Sequence, residues 1–481
     1  MIPLRRRVWC LTLGCDKNLV DSENLLGRLV AAGAVPTARA QDADIWILNT
    51  CSFIEPARID SWAALRELAE GKGAERVLAV VGCLGQDQPA RIAREFPAVD
   101  VVAGVGNHAL VAAAILAGGS AAPLVSSPGE AVYDGYAGRH PLTPAHVAFV
   151  KIAEGCSCAC AFCRIPAIRG PQRSRRADDL VAEVEGLVER GVREVQLVSQ
   201  NSSAWGRDIG DSLPSLIARL DRIEGLRWIR LLYLFPGQLT LAEAQRILDC
   251  PRVVPYLDLP IQHASPRLLR TMRRPTDTEA MARFCLALRE QRPDLVLRTT
   301  VLLGFPGEEE EDVEALADYL ARVEFDHAGA YRYSPEAGTA AAALAHRPPA
   351  EEVADREARI MDLQAEISLA RQRRRLGRAF PAVIDAVVPA AEAAETVASL
   401  REAAWAPSWN RAAVARVLPS RSRIAIARTQ HYGYDLDGVI LLAGERRQAG
   451  EWVQARLIGV TAFDGLAVCE DEAHFREGGM A

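Results

Sequence analysis

In the run Gly155-Cys156-Ser157-Cys158-Ala159-Cys160-Ala161-Phe162-Cys163, three thiols, Cys156, Cys160 and Cys163, fall at the spacing C-x3-C-x2-C. That spacing brings three soft ligands onto one small object and leaves a coordination position open for chemistry. Zinc is the first rival, because it too takes thiolates. A closed zinc site needs four ligands, usually two CxxC-like pairs or one pair plus histidines, and no second pair follows here. Cys158 has a gap of one residue on either side, which makes joint ligation with its neighbours awkward. An iron–sulfur cube with one iron lacking a protein ligand fits the pattern better.

Immediately upstream, Ala148-Phe149-Val150-Lys151-Ile152-Ala153 reads as a strand running straight into the cysteine loop. Downstream, strand patterns recur between helical ones: Glu194 to Val198, Trp228 to Leu232, Tyr256 to Leu259, Val296 to Leu303 and Ala328 to Tyr333. Such β-to-α repeats predict an open or partial (β/α) barrel over residues 145–345, with its site on the strand-end loops. The cysteine loop is the first of these loops, and Gln200, Gln262 and Gly304 fall at later strand ends.

Residues 1–117 also alternate strand and helix patterns, with apolar runs at Val8 to Leu13, Asp44 to Leu48 and Val77 to Val81. These predict a doubly wound α/β domain on a parallel sheet. Cys15, Cys51 and Cys83 each come directly after one of those runs. Parallel strands put their carboxyl ends on one edge, so thiols distant in sequence converge there and make a second candidate metal site. The alternative is that they are small buried residues, as free cysteines often are. Cys10, Cys250, Cys285 and Cys469 lack ligand spacing and carry no assigned chemistry.

Residues 118–144, rich in Ala, Gly, Ser and Pro, read as a linker, and residues 346–379 as a charged connecting helix. Its Arg371, Arg373, Arg374 and Arg375 read as a solvated helix end complementing the dipole. Short β patterns over residues 380–481 predict a small β-barrel.

Eleven cysteines in 481 residues are too few for a disulfide scaffold, and clustered ones point to metal or reactivity. No stretch is long and apolar enough to span a membrane, and the basic Met1 to Arg7 leads into a strand without a cleavage site, which predicts a soluble cytoplasmic protein. The net charge of -6 disfavours a large nucleic-acid surface.

With Phe162 before its last cysteine, the loop resembles the signature of the radical S-adenosylmethionine (SAM) superfamily. Over nearly its whole length the chain resembles the methylthiotransferases, through Leu13 to Glu23, Asn49-Thr50-Cys51 and Gly82-Cys83-Leu84-Gly85. Pro255 to Pro266 and Gly304-Phe305-Pro306-Gly307-Glu308 are similar to the branch that acts on a small-subunit ribosomal protein. The C-terminal barrel is similar to the TRAM domain. The resemblance implies two [4Fe-4S] clusters, one on Cys156, Cys160 and Cys163 that binds and cleaves SAM, and an auxiliary one on Cys15, Cys51 and Cys83. It also implies SAM contacts at Gln200, Gln262 and Gly304, a low-potential donor such as flavodoxin or ferredoxin, and methylthiolation at the β-carbon of an aspartate.

Packing explains those three positions about as well, and the glycines of Gly304 to Gly307 suit a turn. A tRNA adenosine methylthiotransferase and a two-cluster electron carrier are the other function classes compatible with the sequence. Three features depart from the family pattern. Asn201 stands where an acid is usual, Cys158 lies inside the loop, and an insert from about Ala390 to Pro419 carries Trp405 and Trp409.

Overall fold

The computed structural model describes residues 6–131, 138–274, 277–393, 423–444 and 446–470. The first sheet contains β1 (Arg7–Thr12), β2 (Val35–Pro36), β3 (Ile45–Thr50), β4 (Val77–Gly82) and β5 (Val101–Val102). All pairs are parallel, in the order β2-β1-β3-β4-β5. Ile45–Thr50 and Val77–Gly82 are buried along their whole length, as strands covered by helices on both faces must be. Strand order reverses between β1 and β3, the place where such sheets open a crevice at their carboxyl edge.

The central sheet is built from β6 (Val147–Lys151), β9 (Glu194–Val198), β10 (Trp228–Leu231), β11 (Val253–Asp258), β12 (Val296–Leu303) and β13 (His327–Arg332). These strands are all parallel and neighbour one another in chain order, an open half-barrel with helices outside. The strand expected to run into the cysteine loop stops earlier, at Lys151. Instead, β7 (Ala153–Glu154) leaves the sheet and pairs antiparallel with β8 (Arg173–Ser174). This clasp closes the loop at its base.

The last unit is a closed barrel of β14 (Ala379–Pro389), β15 (Arg423–Thr429), β16 (Ile440–Ala443), β17 (Trp452–Val460) and β18 (Gly465–Cys469), ordered β14-β15-β16-β18-β17. The sequence pattern missed β18, a short run of mostly small residues that closes the barrel and buries Cys469. Most of the expected insert, including Trp405 and Trp409, lies outside the described residues.

The barrel docks near the strand starts of the half-barrel. Arg428 donates to Glu194 at 2.8 Å, Tyr256 donates to Asp437 at 2.7 Å, and Trp228 meets Trp452 edge-on. The arginine run on the helix Ala350–Arg373 and just beyond it also differs from expectation. Arg371 and Arg375 are buried and pair with Asp326, which Arg289 also reaches. A fully buried carboxylate needs such partners, and the helix end supplies them. Among the described residues no helix is long and apolar enough to cross a membrane.

Candidate active site

The strand-end cysteines stand where the chain leaves the sheet, Cys83 as the first residue of the helix Cys83–Asp87. Cys15 follows β1, Cys51 follows β3 and Cys83 follows β4, on three adjacent strands of one parallel sheet. The sheet register therefore brings residues 68 apart in the chain, Cys15 and Cys83, to the same edge. Asn18 fastens the three strand ends together. Its amide donates to the carbonyls of Leu13 at 2.9 Å and Thr50 at 3.0 Å, and its carbonyl oxygen lies 3.8 Å from the Cys83 sulfur. Gly14 makes the approach possible: it has φ +92, and a Cβ there would sit 2.8 Å from the Cys51 Cβ.

The thiols sense each other. Burial pushes Cys51 up to about 12, and the neighbouring Cys83 and Cys15 push in the same direction. Burial also raises Cys83, against the pull of Arg169.

The second triplet is local. Cys156 is buried and Cys160 and Cys163 half-buried, and each sulfur faces one N–H donor. The Cys158 amide donates to Cys156 at 3.4 Å, the Ile165 amide to Cys163 at 3.4 Å, and the Arg274 guanidinium to Cys160 at 3.8 Å. Phe162 packs edge-on against Phe305, which in turn meets Tyr333, so the ends of β12 and β13 brace the loop. Burial pushes Cys163 up to about 12, with Cys160 and Cys158 adding to the rise. A bound cation reverses that balance, because ligation needs the thiolate.

Both triplets consist of soft thiols, and several of their sulfurs accept hydrogen bonds from N–H groups. That donor set fits thiolate-held iron and sulfide. Among the described residues no three His, Cys, Asp or Glu side chains are grouped as ligands of a single metal ion.

Cys158 is held in place. The Asn201 amide donates to its sulfur at 3.4 Å and to the Gln238 carbonyl oxygen at 2.9 Å, and the Gln238 amide donates to the same sulfur at 3.6 Å. A hydrogen bond from Cys156, joined by these amides, brings Cys158 down to about 6. The two departures noted in the sequence are therefore in contact. An acid at position 201 would repel a thiolate here, and an amide donates to it.

Of the other expected site residues, Gln200 donates to Glu154 at 3.3 Å, two residues before Cys156, and its buried carbonyl oxygen has no hydrogen-bond partner among the described residues. Gln262 stands at the same sheet edge in a left-handed conformation (φ 70), its backbone bridging to Thr300 and Leu302. Gly304 has φ +75, its amide is held by Glu308, and Val353 fills the space where a Cβ would stand. Asp16 and Lys17 pair with each other at 2.9 Å, and Lys17 lies over the Tyr233 ring.

The sequence pattern gave no role to four buried charges between the triplets. Lys151, Glu154 and Arg169, from the central unit, enclose Asp21 of the helix Asp16–Ala31. The available signal was a lysine inside an apolar strand, since lysine is almost never fully buried unless paired. Arg274 was also missed. It is buried, stacks on Phe235 at 4.0 Å, and has no carboxylate within ion-pair range among the described residues.

Residues 150–320 match the family model of the radical SAM superfamily, and residues 7–104 match that of the uncharacterized protein family UPF0004. The half-barrel and its cysteine loop thus define a radical SAM enzyme. The chain is 42% identical over 386 residues to the ribosomal protein uS12 methylthiotransferase RimO of Pelotomaculum thermopropionicum, covering 79% of this chain and 86% of that one. It is 36% identical over 470 residues to the RimO of Symbiobacterium thermophilum, covering 96% and 90%. Among solved structures it is similar to the radical S-adenosylmethionine methyltransferase TsrM of Kitasatospora setae, at 16% identity and a TM-score of 0.49, covering 68% of this chain and 72% of that one. The chain belongs to the RimO family of radical SAM methylthiotransferases. Membership implies a [4Fe-4S] cluster and SAM.

Proposed function

We propose that this protein attaches a methylthio group to the β-carbon of an aspartate in ribosomal protein uS12, in the cytoplasm, with electrons from a low-potential donor of the flavodoxin or ferredoxin kind. Two thiol triplets at the facing edges of two parallel sheets carry the proposal: Cys156, Cys160 and Cys163 to hold the SAM-binding cluster, and Cys15, Cys51 and Cys83 to hold an auxiliary one. It is supported further by relatives named for this activity that align over most of the chain. Residues 1–117, 145–345 and 380–481 are the three working units, joined by 118–144 and 346–379.

When bound, the reduced cluster and SAM supply one-electron chemistry that takes hydrogen from an unactivated C–H bond, a step beyond acid–base catalysis. The chain's own residues hold and orient. The N–H donors around Cys156, Cys160 and Cys163 keep their sulfurs pointed inward. Gln200, Gln262 and the turn at Gly304 offer amide and backbone contacts to SAM at the strand ends, and Arg274 a buried cation suited to a carboxylate. The clasp of β7 and β8 and the ring contacts of Phe162 fix the loop's position against the half-barrel.

Anaerobically reconstituted protein given SAM and dithionite is expected to release 5'-deoxyadenosine. Mass spectrometry of ribosomal proteins and tRNA nucleosides from a deletion strain is expected to show the modification lost from uS12 alone. Loss from tRNA instead would overturn the substrate.

A further inference from the structure

Arg169 ends the short helix Ile165–Arg169, just after the cysteine loop, and its side chain leaves its own unit. One guanidinium nitrogen donates to Asn18 at 2.7 Å and to the Cys83 sulfur at 3.4 Å, and the other to Glu154 at 2.7 Å. Asp21 lies 3.4 Å from both. The side chain is 1% exposed, so water screens these charges little. Around it Lys151 bridges Asp21 and Glu154, giving two cations against two carboxylates, with His108 3.6 Å from Asp21. Nearby, Arg164 pairs with Asp87 at 2.6 Å, so both ends of this short helix hold the Cys83 loop.

We infer that Arg169 is the fixed positive charge that sets the reduction potential of the auxiliary cluster, acting through its hydrogen bond to Cys83 and its field. This rests on the proposed assignment of a cluster to Cys15, Cys51 and Cys83. Reduction adds one electron to that cluster from an external low-potential reductant, and no bond forms or breaks. A buried cation touching a ligand sulfur stabilises the added negative charge, and net charge and hydrogen bonds to sulfur are the main levers on such potentials. Arg169 is a positioning residue. It acts on the cluster through Cys83, and through Glu154 it ties the auxiliary edge to the residue beside Gly155 and Gln200.

The test uses the full chain carrying Cys156→Ala, Cys160→Ala and Cys163→Ala, reconstituted with iron and sulfide, so that one cluster remains. Its potential is titrated with dithionite and followed by electron paramagnetic resonance. Arg169→Met is expected to make reduction at least tenfold less favourable, about 59 mV for one electron. Arg169→Lys, which keeps the charge but loses the fork, is expected to shift it in the same direction by less. Asp21→Asn removes a negative charge and is expected to shift it the opposite way, a sign reversal that loosened packing does not produce. Iron-loaded Arg169→Lys and Asp21→Asn proteins with the parent potential would overturn the inference, even if Arg169→Met failed to fold. A triple-alanine background that held no iron–sulfur cluster would overturn the two-cluster assignment and this inference together.

Discussion

The two thiol triplets are assembled in opposite ways. Cys156, Cys160 and Cys163 lie within eight consecutive residues, and two of their three N–H donors come from that stretch or two residues beyond it. Cys15, Cys51 and Cys83 are far apart in sequence and meet only because β1, β3 and β4 are neighbours, with Asn18 and Gly14 fixing the last few ångströms. A local site tolerates changes elsewhere in the fold, whereas a site made by a sheet edge depends on every residue that holds its loops in register.

Removing the proposed cluster ligands gives the largest contrast. Alanine at Cys156, Cys160 and Cys163 is expected to abolish 5'-deoxyadenosine release. Alanine at Cys15, Cys51 and Cys83 is expected to leave SAM cleavage intact while ending methylthio transfer, as chromatography and mass spectrometry of the substrate protein would show. Equal loss of cleavage in both variants would erase the distinction between the sites.

Asp326 lies in neither site, and Asp326→Asn is expected to cost about 3–5 kcal/mol because Arg289, Arg371 and Arg375 lose their buried partner. Burial pushes the Asp326 carboxyl up, but the three arginines outweigh it and hold it below the ordinary carboxylate range. Its contribution is therefore fully present above that range and is lost as pH falls through its lowered value. Urea denaturation of wild type and variant should converge on acidification, with iron per folded chain the same in both.

Gly14→Ala tests the distributed site more gently. The strained φ and the clash with Cys51 are expected to cost about 1–3 kcal/mol. The cysteine edge of the first sheet should then lose iron while SAM cleavage persists. Gly186→Ala, in the last turn of the helix Ala177–Glu189 with nothing within 4 Å of its added Cβ, is the counterpart. It is expected to stabilise by about 0.5–1 kcal/mol in thermal melts and to leave iron content alone.

The same contrast governs what could be read from the chain before folding. The loop Cys156 to Cys163 could be picked out because its spacing lies in adjacent residues. The strand-end cysteines were legible because parallel strands share a carboxyl edge, so position along each strand sufficed. Arg169 was not, since its partners Asp21 and Cys83 lie 148 and 86 residues away and no local pattern marks such a pair. Arg371 and Arg375 were misread as solvated for the same reason: a helix-end arginine looks identical whether it faces water or a buried Asp326. β18 escaped because its small residues lack the bulky alternation of a strand pattern.

The docked C-terminal barrel has a consequence for the order of synthesis. Glu194, Arg230 and Arg298 leave the ribosome well before Arg428, Gln430 and Asp437, which they meet in the finished molecule. Because chains are made from the N-terminus, the floor of the half-barrel stays wet and open until the strands β14 to β18 are made. The strands β14 to β18 act as a stopper fitted after the vessel is built, and the interior beneath them dries only once they have closed into their barrel.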